Sequence, residues 1–201
     1  MHVLILSPYG DLLEDTVAAS GHQAIIRPET LEVSDWPSAD WVVSFGYRKI
    51  IQSHTIEKFK GRIINIHCSL LPWNRGAHPN FWSWFDGTSK GVSIHRVDEG
   101  IDTGEILARG IIDDMDFRQP ASLQSTYNDL LIAAAGLFKR NWVPIIHGYI
   151  KPPEIVPTQK GSYHSVSDID KFKRFMPYGW EGTSVSDVVA LGKLYRGLFY
   201  G

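Results

Sequence analysis

The chain reads as an α/β protein with a Rossmann-like, mostly parallel sheet and helices on both faces. Three observations predict this. Short apolar runs recur through the first third: VLIL within His2–Ser7, AII within Gln23–Arg27, WVVSF at Trp41–Phe45 and RIINIH at Arg62–His67. Each is too short for a helix, rich in β-branched residues and bounded by turn formers, as strands buried in a parallel sheet are. The segments between them are polar or helix-forming, and strand–helix alternation wraps helices over both faces of a sheet. The 201 residues suit one domain, able to bury roughly 70% of the surface exposed on unfolding. A 12% aromatic content and a formal charge of −2 argue against disorder.

The elements follow in order. After the first strand, Pro8-Tyr9-Gly10 makes a turn and Asp11 is placed to cap a helix running to about Ala19, ended by Gly21. Glu29 to Ser38 reads as a short polar connection. Lys49 to Phe59 carries Ile50, Ile51, Ile56 and Phe59 at mixed helical spacing and reads as a short helix. Ser69 to Gly76 is a Pro-, Gly- and Asn-rich loop; Pro79 to Phe85 is a helix with Pro in its first turn. Gly91–Val97 and Gly104–Asp113 read as strands flanking the loop DEGIDT. From Ala121 to about Trp142, the residues Leu123, Tyr127, Leu130, Leu131, Ala134, Leu137 and Phe138 follow a 3.6-residue period, with Pro144 expected to limit the helix. Lys151 to Gly161 reads as irregular, and Asp168–Phe175 and Val185–Phe199 as helices. The expected division is a catalytic domain over 1–150 and a short C-terminal extension over 151–201, packing on the core or at a dimer interface.

Composition narrows the function. Twenty basic against 22 acidic residues leave no surplus for a sequence-independent grip on nucleic acid. The lone Cys68 excludes an intrachain disulfide and a Cys-rich zinc site. No apolar run reaches the roughly 20 residues that span a bilayer. The N-terminal run is too short, and lacks the basic leader, for a signal peptide. A cytoplasmic enzyme or binding domain is the expectation.

Ligands of such sheets sit beyond the carboxyl ends of the strands. There, Asn65 and His67 stand two residues apart, so their side chains share a face. An isolated Asn-x-His is more often a strand end bonding loop backbone, but here the Pro/Gly-shaped loop Ser69–Gly76 follows at once, where domains build sites. Asp102 lies between two glycines in Asp98–Gly104, a stretch that alone would be a turn. Zinc ligation by His67, His78, His95 and Asp102 lacks a close ligand pair. A Cys68–His67 thiol dyad is disfavoured because adjacent strand residues point to opposite faces. The first turn contains no GxGxxG fingerprint.

The stretches NIHCSLLPWNRGAHPNFWSW and GVSIHRVDEGIDTGEIL resemble the folate-dependent formyltransferase family, whose Asn-x-His-x-Ser-Leu-Leu-Pro and Asp-x-Gly segments they match over about 40 residues. The resemblance implies a Rossmann-like fold and transfer of a formyl group from 10-formyltetrahydrofolate to an amine, without a metal. It places a catalytic triad on Asn65, His67 and Asp102. It places the folate against Phe45, Tyr47, Arg48, Lys49 and Ile50, and against Val97, Gly100 and Ile101. Backbone groups would read the pterin ring and Ile50 and Ile51 would wall it, or else fill a helix core.

The resemblance also bears on the acceptor. SPYGDLLED is not the Gly/Ser-rich phosphate loop of glycinamide ribonucleotide formyltransferases. The stretch after Ile150 is shorter than the β-barrel of methionyl-tRNA formyltransferases, so that barrel is not expected, nor is the extra domain with which formyltetrahydrofolate hydrolases begin. GSYHSVSDIDKFKRFMPYGWEG resembles the branch that formylates nucleotide-linked amino sugars of the kind found in lipopolysaccharide O-antigen. The expected partner is a small acceptor amine held by Trp73, Arg75, Phe81 and Tyr163, with no nucleic acid and no membrane. An amino acid such as hydroxyornithine, or a catalytically idle folate- or nucleotide-binding relative, remains open. The apolar face of Val185–Phe199 would need cover, from the core or from a second subunit in a homodimer.

Overall fold

The computed structural model describes residues 1–28, 38–117, 119, 121–153 and 160–199. A six-stranded sheet organises it, built from β1 (His2–Leu6), β2 (Gln23–Arg27), β3 (Trp41–Phe45), β4 (Ile63–His67), β6 (Lys90–Arg96) and β7 (Ile106–Ile112) in the order β2-β1-β3-β4-β6-β7. The pairs β1–β2, β1–β3 and β3–β4 are parallel, whereas β6 runs antiparallel to β4. The sheet is therefore mixed, with a parallel half as expected. Every residue of β3, and β1 after its first, is buried, which requires cover on both faces and explains the unbroken apolar runs.

The contacts divide the chain into two compact units. The first comprises Met1–His67, Ser93–Arg109 and Ala134–Glu154; the second comprises Cys68–Val92, Gly110–Ala133 and Ile155–Gly201. The stretch after residue 154 thus belongs with two earlier segments, a grouping that sequence order does not announce.

In the first unit, Leu4, Leu6, Val42, Phe59 and Ile63 form a core against which Tyr47, Ile51 and Val97 pack. Helix α1 (Asp11–Ala19) begins after Gly10 with no side-chain cap. Asp11 is its first helical residue rather than its cap, and with Glu14 it complements the positive end of the helix dipole. Helix α2 covers only Ser53–Phe59. Residues 49–52 precede it, so Ile50 and Ile51 are not helical: Ile50 is 74% exposed, while Ile51 meets the core. Helix α4 (Leu123–Ile146) contains Pro144 instead of stopping before it. Pro144 falls in the last turn, where its missing N–H deprives only the Arg140 carbonyl of a partner. Trp142 of this helix is fully buried and donates its indole N–H to Ser20 Oγ at 2.9 Å.

In the second unit, β5 (Arg75–Gly76) pairs in parallel with β8 (Tyr163–His164), so the loop after β4 contains a short strand absent from the sequence reading. Helix α3 (Pro79–Asp86) has Pro at its first turn, as expected. It packs on α6 (Val185–Phe199), where the Phe85 carbonyl fills the space a Cβ on Gly192 would need. Phe81, Trp82, Phe85 and Phe172 form an aromatic core. A short helix, α5 (Gly179–Gly182), precedes α6. Residues Val166–Phe175 form a 3-10 helix where an α-helix was expected over Asp168–Phe175. Its ends bond three residues back, Asp168 N–H to Ser165 O at 3.3 Å and Met176 N–H to Lys173 O at 3.0 Å. The connection read at Glu29–Ser38 lies outside the described residues apart from Ser38, as does 154–159 of the irregular stretch. Among the described residues, no helix is long and apolar enough to cross a membrane.

Candidate active site

The site is built at the carboxyl end of β4 and in the loop between β6 and β7. Ile64 and Ile66 are buried, while Asn65 and His67 occupy the alternate positions of β4 and so share its other face. Parallel pairing sets Asn65 beside Ser44 of β3, and antiparallel pairing sets it opposite His95 of β6. The Asn65 amide Nδ2 donates to Asp102 Oδ1 at 3.2 Å and lies 3.1 Å from His95 Nε2. His67 Nδ1 stands 3.6 Å from Asp102 Oδ2, an ion-pair distance for a protonated ring but too long for a hydrogen bond. The chain therefore brings Asn65, His67 and Asp102 together, with His67 7% exposed and Asp102 partly buried.

A fourth member completes the cluster. His95, 2% exposed, places Nε2 3.2 Å from Asp102 Oδ1, closer than His67 comes. Its Nδ1 lies 2.7 Å from the Arg96 carbonyl, which can only accept, so Nδ1 carries a proton. Neutral His95 then accepts from Asn65 through Nε2; protonated at both nitrogens, it donates to Asp102 instead. Asp102 is shared by an amide and two imidazoles. Sequence reasoning considered His95 only as a zinc ligand. The missed signal is its place as the one ring on a buried strand, β6, facing Asn65 only through the β4–β6 register. Among the described residues, no group of three His, Cys, Asp or Glu side chains is arranged to hold a metal ion.

Asp102 has a left-handed backbone, φ 53°, which costs an L residue roughly 1–2 kcal/mol. Asp tolerates it better than most. Cys68, next to His67, is buried, and burial pushes its thiol up to about 12, so it holds no thiolate near neutrality.

The residues expected to hold folate divide by exposure. Phe45 is fully buried and meets Tyr9 edge-on at 5.7 Å, so its ring belongs to the core and only its backbone is left for a ligand. Tyr47, Arg48 and Lys49 line a cleft of about 440 Å³ with Pro8, Tyr9 and Gly46, at the carboxyl ends of β1 and β3. Gly46 has φ 66°, and a Cβ there would come within 2.8 Å of the Tyr9 ring. Val97 packs on the core and donates its N–H to Ile63 O at 3.0 Å. Gly100 and Ile101 are exposed in the Asp102 loop.

The four residues expected at the acceptor all lie in the second unit. Phe81 is fully buried among Trp82, Phe85 and Phe172, so its ring presents no exposed face. Tyr163 is 48% exposed. Arg75, its partner across β5–β8, buries Nε without a hydrogen-bond partner among the described residues. Trp73 is half-buried, its carbonyl accepting from Ser69 Oγ at 2.7 Å. His164 stacks flat on Trp82 (3.8 Å, 4°) and bonds Asp86 at 2.9 Å.

Comparison with known proteins bears on this geometry. A family profile described as Formyl transferase matches residues 15–118. The formyltransferase PseJ from Anoxybacillus kamchatkensis, solved in complex with UDP-4,6-dideoxy-4-formamido-L-AltNAc and tetrahydrofolate, is 33% identical with a TM-score of 0.84, over 96% of this chain and 100% of that one. A 4-N formyltransferase from Francisella tularensis shares the fold at 20% identity (TM-score 0.70, 85% of this chain, 78% of that one). The methionyl-tRNA formyltransferase of Finegoldia magna is 33% identical over 113 residues, 56% of this chain and 36% of its own length. The chain spans only about a third of the curated relatives it matches. Because the matched stretch 15–118 is more than half of the chain and contains the whole Asn65–His67–His95–Asp102 cluster, the chain belongs to the formyl transferase family.

Proposed function

We propose that this chain transfers the formyl group of 10-formyltetrahydrofolate to the amine of a nucleotide-linked amino sugar. The observation that carries the reading is the convergence of Asn65, His67 and Asp102 at one strand end, within 3.2–3.6 Å of one another through Asp102. Transfer of a formyl group needs donors aimed at the oxygen that becomes negative, and a group that takes a proton from the amine and delivers one to the leaving nitrogen. Folate supplies the electrophilic formyl carbon. The residues present fit it: a neutral amide and an imidazole share one face of β4, and the cleft at the carboxyl ends of β1 and β3 carries two cations, Arg48 and Lys49, for an anionic tail.

In this reading Asn65 donates an amide N–H to the formyl oxygen. Both hydrogens of Nδ2 already face Asp102 and His95, so Asn65 exchanges one of these acceptors for the substrate. His67, when protonated, supplies the second donor, and the Asp102 carboxylate, 3.6 Å from its Nδ1, orients the ring and relays protons. Backbone groups at 45–50 and 97–101 hold the pterin; Trp73, Arg75 and Tyr163 serve the acceptor.

The sugar acceptor is supported by the near-full-length similarity to PseJ, described with a UDP-linked formamido sugar. The methionyl-tRNA formyltransferases match over a much smaller share of their length. The test offers a UDP-linked 4-amino-4,6-dideoxy sugar, methionyl-tRNA, glycinamide ribonucleotide and hydroxyornithine in parallel with 10-formyltetrahydrofolate, and follows tetrahydrofolate release. Release with the sugar alone is expected. Turnover of another acceptor, with none for the sugar, overturns the assignment.

A further inference from the structure

We propose that Asp98 is a positioning residue for Asp102, acting through a carboxylate knot that holds the loop in its left-handed form. The proposal rests on the reading of Asp102 as catalytic. One oxygen, Asp98 Oδ1, accepts from the Gly100 N–H at 3.1 Å and from the Thr103 hydroxyl at 2.7 Å. Asp102 lies between these two tied points. A free loop would relax φ 53° toward the right-handed or extended region, swinging the carboxylate away from Asn65, His67 and His95.

The surroundings leave the knot little slack. Thr103 Oγ1 occupies the space of a Cβ on Gly100, so only glycine fits there while Thr103 bonds Asp98. At the neck, the Arg96 carbonyl occupies the Cβ space of Gly104, and Arg96 N–H donates to Glu105 O at 2.9 Å. The same Arg96 carbonyl holds His95 Nδ1. Loop neck, His95 and Asp102 are thereby registered to one another. Asp98 contributes chiefly an acceptor: both of its bonds come from neutral donors to one oxygen, and an amide oxygen can accept both, though more weakly than a carboxylate.

The test uses the full chain with substitutions D98A, D98N, T103V and the double D98A/T103V. Transfer from 10-formyltetrahydrofolate to a UDP-linked 4-amino sugar is measured beside the ¹⁵N ring shifts of His67 and His95. D98A and T103V are each expected to lower kcat about tenfold, leaving the acceptor KM within about twofold, because a misplaced group costs rate more than binding. The double variant should be no slower than the slower single, since both remove one knot. D98N should stay within about threefold of the parent. The ring shifts should move in D98A and T103V and not in D98N. A D98N as slow as D98A, or unmoved kcat and ring shifts in both D98A and T103V, overturns the proposal. If D98A does not fold, T103V decides alone. If the parent chain transfers no formyl group, the functional reading fails separately, and the ring shifts still decide the positioning.

Discussion

Two histidine–aspartate contacts in this molecule look alike on paper and differ in everything around them. His164 and Asp86 lie 2.9 Å apart, the tighter pair. His67 and His95 stand 3.6 and 3.2 Å from Asp102. In the first pair, Trp82 covers the imidazole face at 3.8 Å and 4°. The pair fastens β8 onto α3, and its hydrogen bond is a closed, two-member contact. In the second, one carboxylate on a left-handed residue is shared among an amide and two rings at a strand end. Distance alone would rank the His164–Asp86 pair ahead of the proposed site. What sets the second cluster apart is that its carboxylate is shared and that two of its partners, Asn65 and His95, also meet each other, so in the proposed mechanism exchange among them moves protons and frees donors.

That contrast can be broken experimentally, starting where the effect should be largest. Asp102→Asn should lower turnover by about 10²–10³-fold, the usual loss for a preorganised electrostatic group. Its thermal melt should stay near that of the parent, because the amide preserves the shape of the loop. Near-parental turnover would dissolve the distinction between the two pairs. His95→Ala should cost about tenfold in turnover through the lost orientation of Asn65 and Asp102; a variant as fast as the parent would reduce His95 to packing.

His164→Ala should act on stability. Losing the stack and the bond to Asp86 is expected to cost about 1–3 kcal/mol in a denaturant titration. An unchanged midpoint would show that the clasp contributes nothing.

The smallest effect is expected at Asp168. Its carboxyl is held below the ordinary range, chiefly by the Ser165 backbone N–H and then by the Ser165 hydroxyl. A depressed carboxyl contributes stability above its unfolded pKa, and that contribution disappears as pH falls through the folded value. Melts of the parent and Asp168→Asn should therefore differ slightly at neutral pH and converge below about pH 3.9. A gap that persists in acid would assign the effect to shape instead of charge.

The same contrast shows what could be read from residue order. Four strands of the parallel half were legible because continuous apolar runs with Gly and Pro boundaries have few other uses. Asn65 and His67 were legible because a two-residue step on a strand puts both on one face. His95 was not, since nothing local distinguishes a ring on a buried strand from core; the cross-strand register makes it a partner of Asn65. Nor was the burial of Phe81. A helix rich in aromatic residues offers rings to both core and ligand, and only the packing of Phe172, Phe85 and Trp82 around it decides.

By itself, the amino-acid order determined the α/β class, most strand boundaries, the pair at the end of β4 and the likeness to formyltransferases. These depend on local periodicity, turn chemistry and short motifs, which are encoded over a few residues. Tertiary structure alone decided that Asp102 is shared by two histidines, that Asp98 ties the loop presenting it, and that 155–201 joins 68–92 and 110–133 in one compact unit. Those outcomes depend on register and on contacts between residues far apart in the chain, where the position of each group is set by partners that local sequence does not contain.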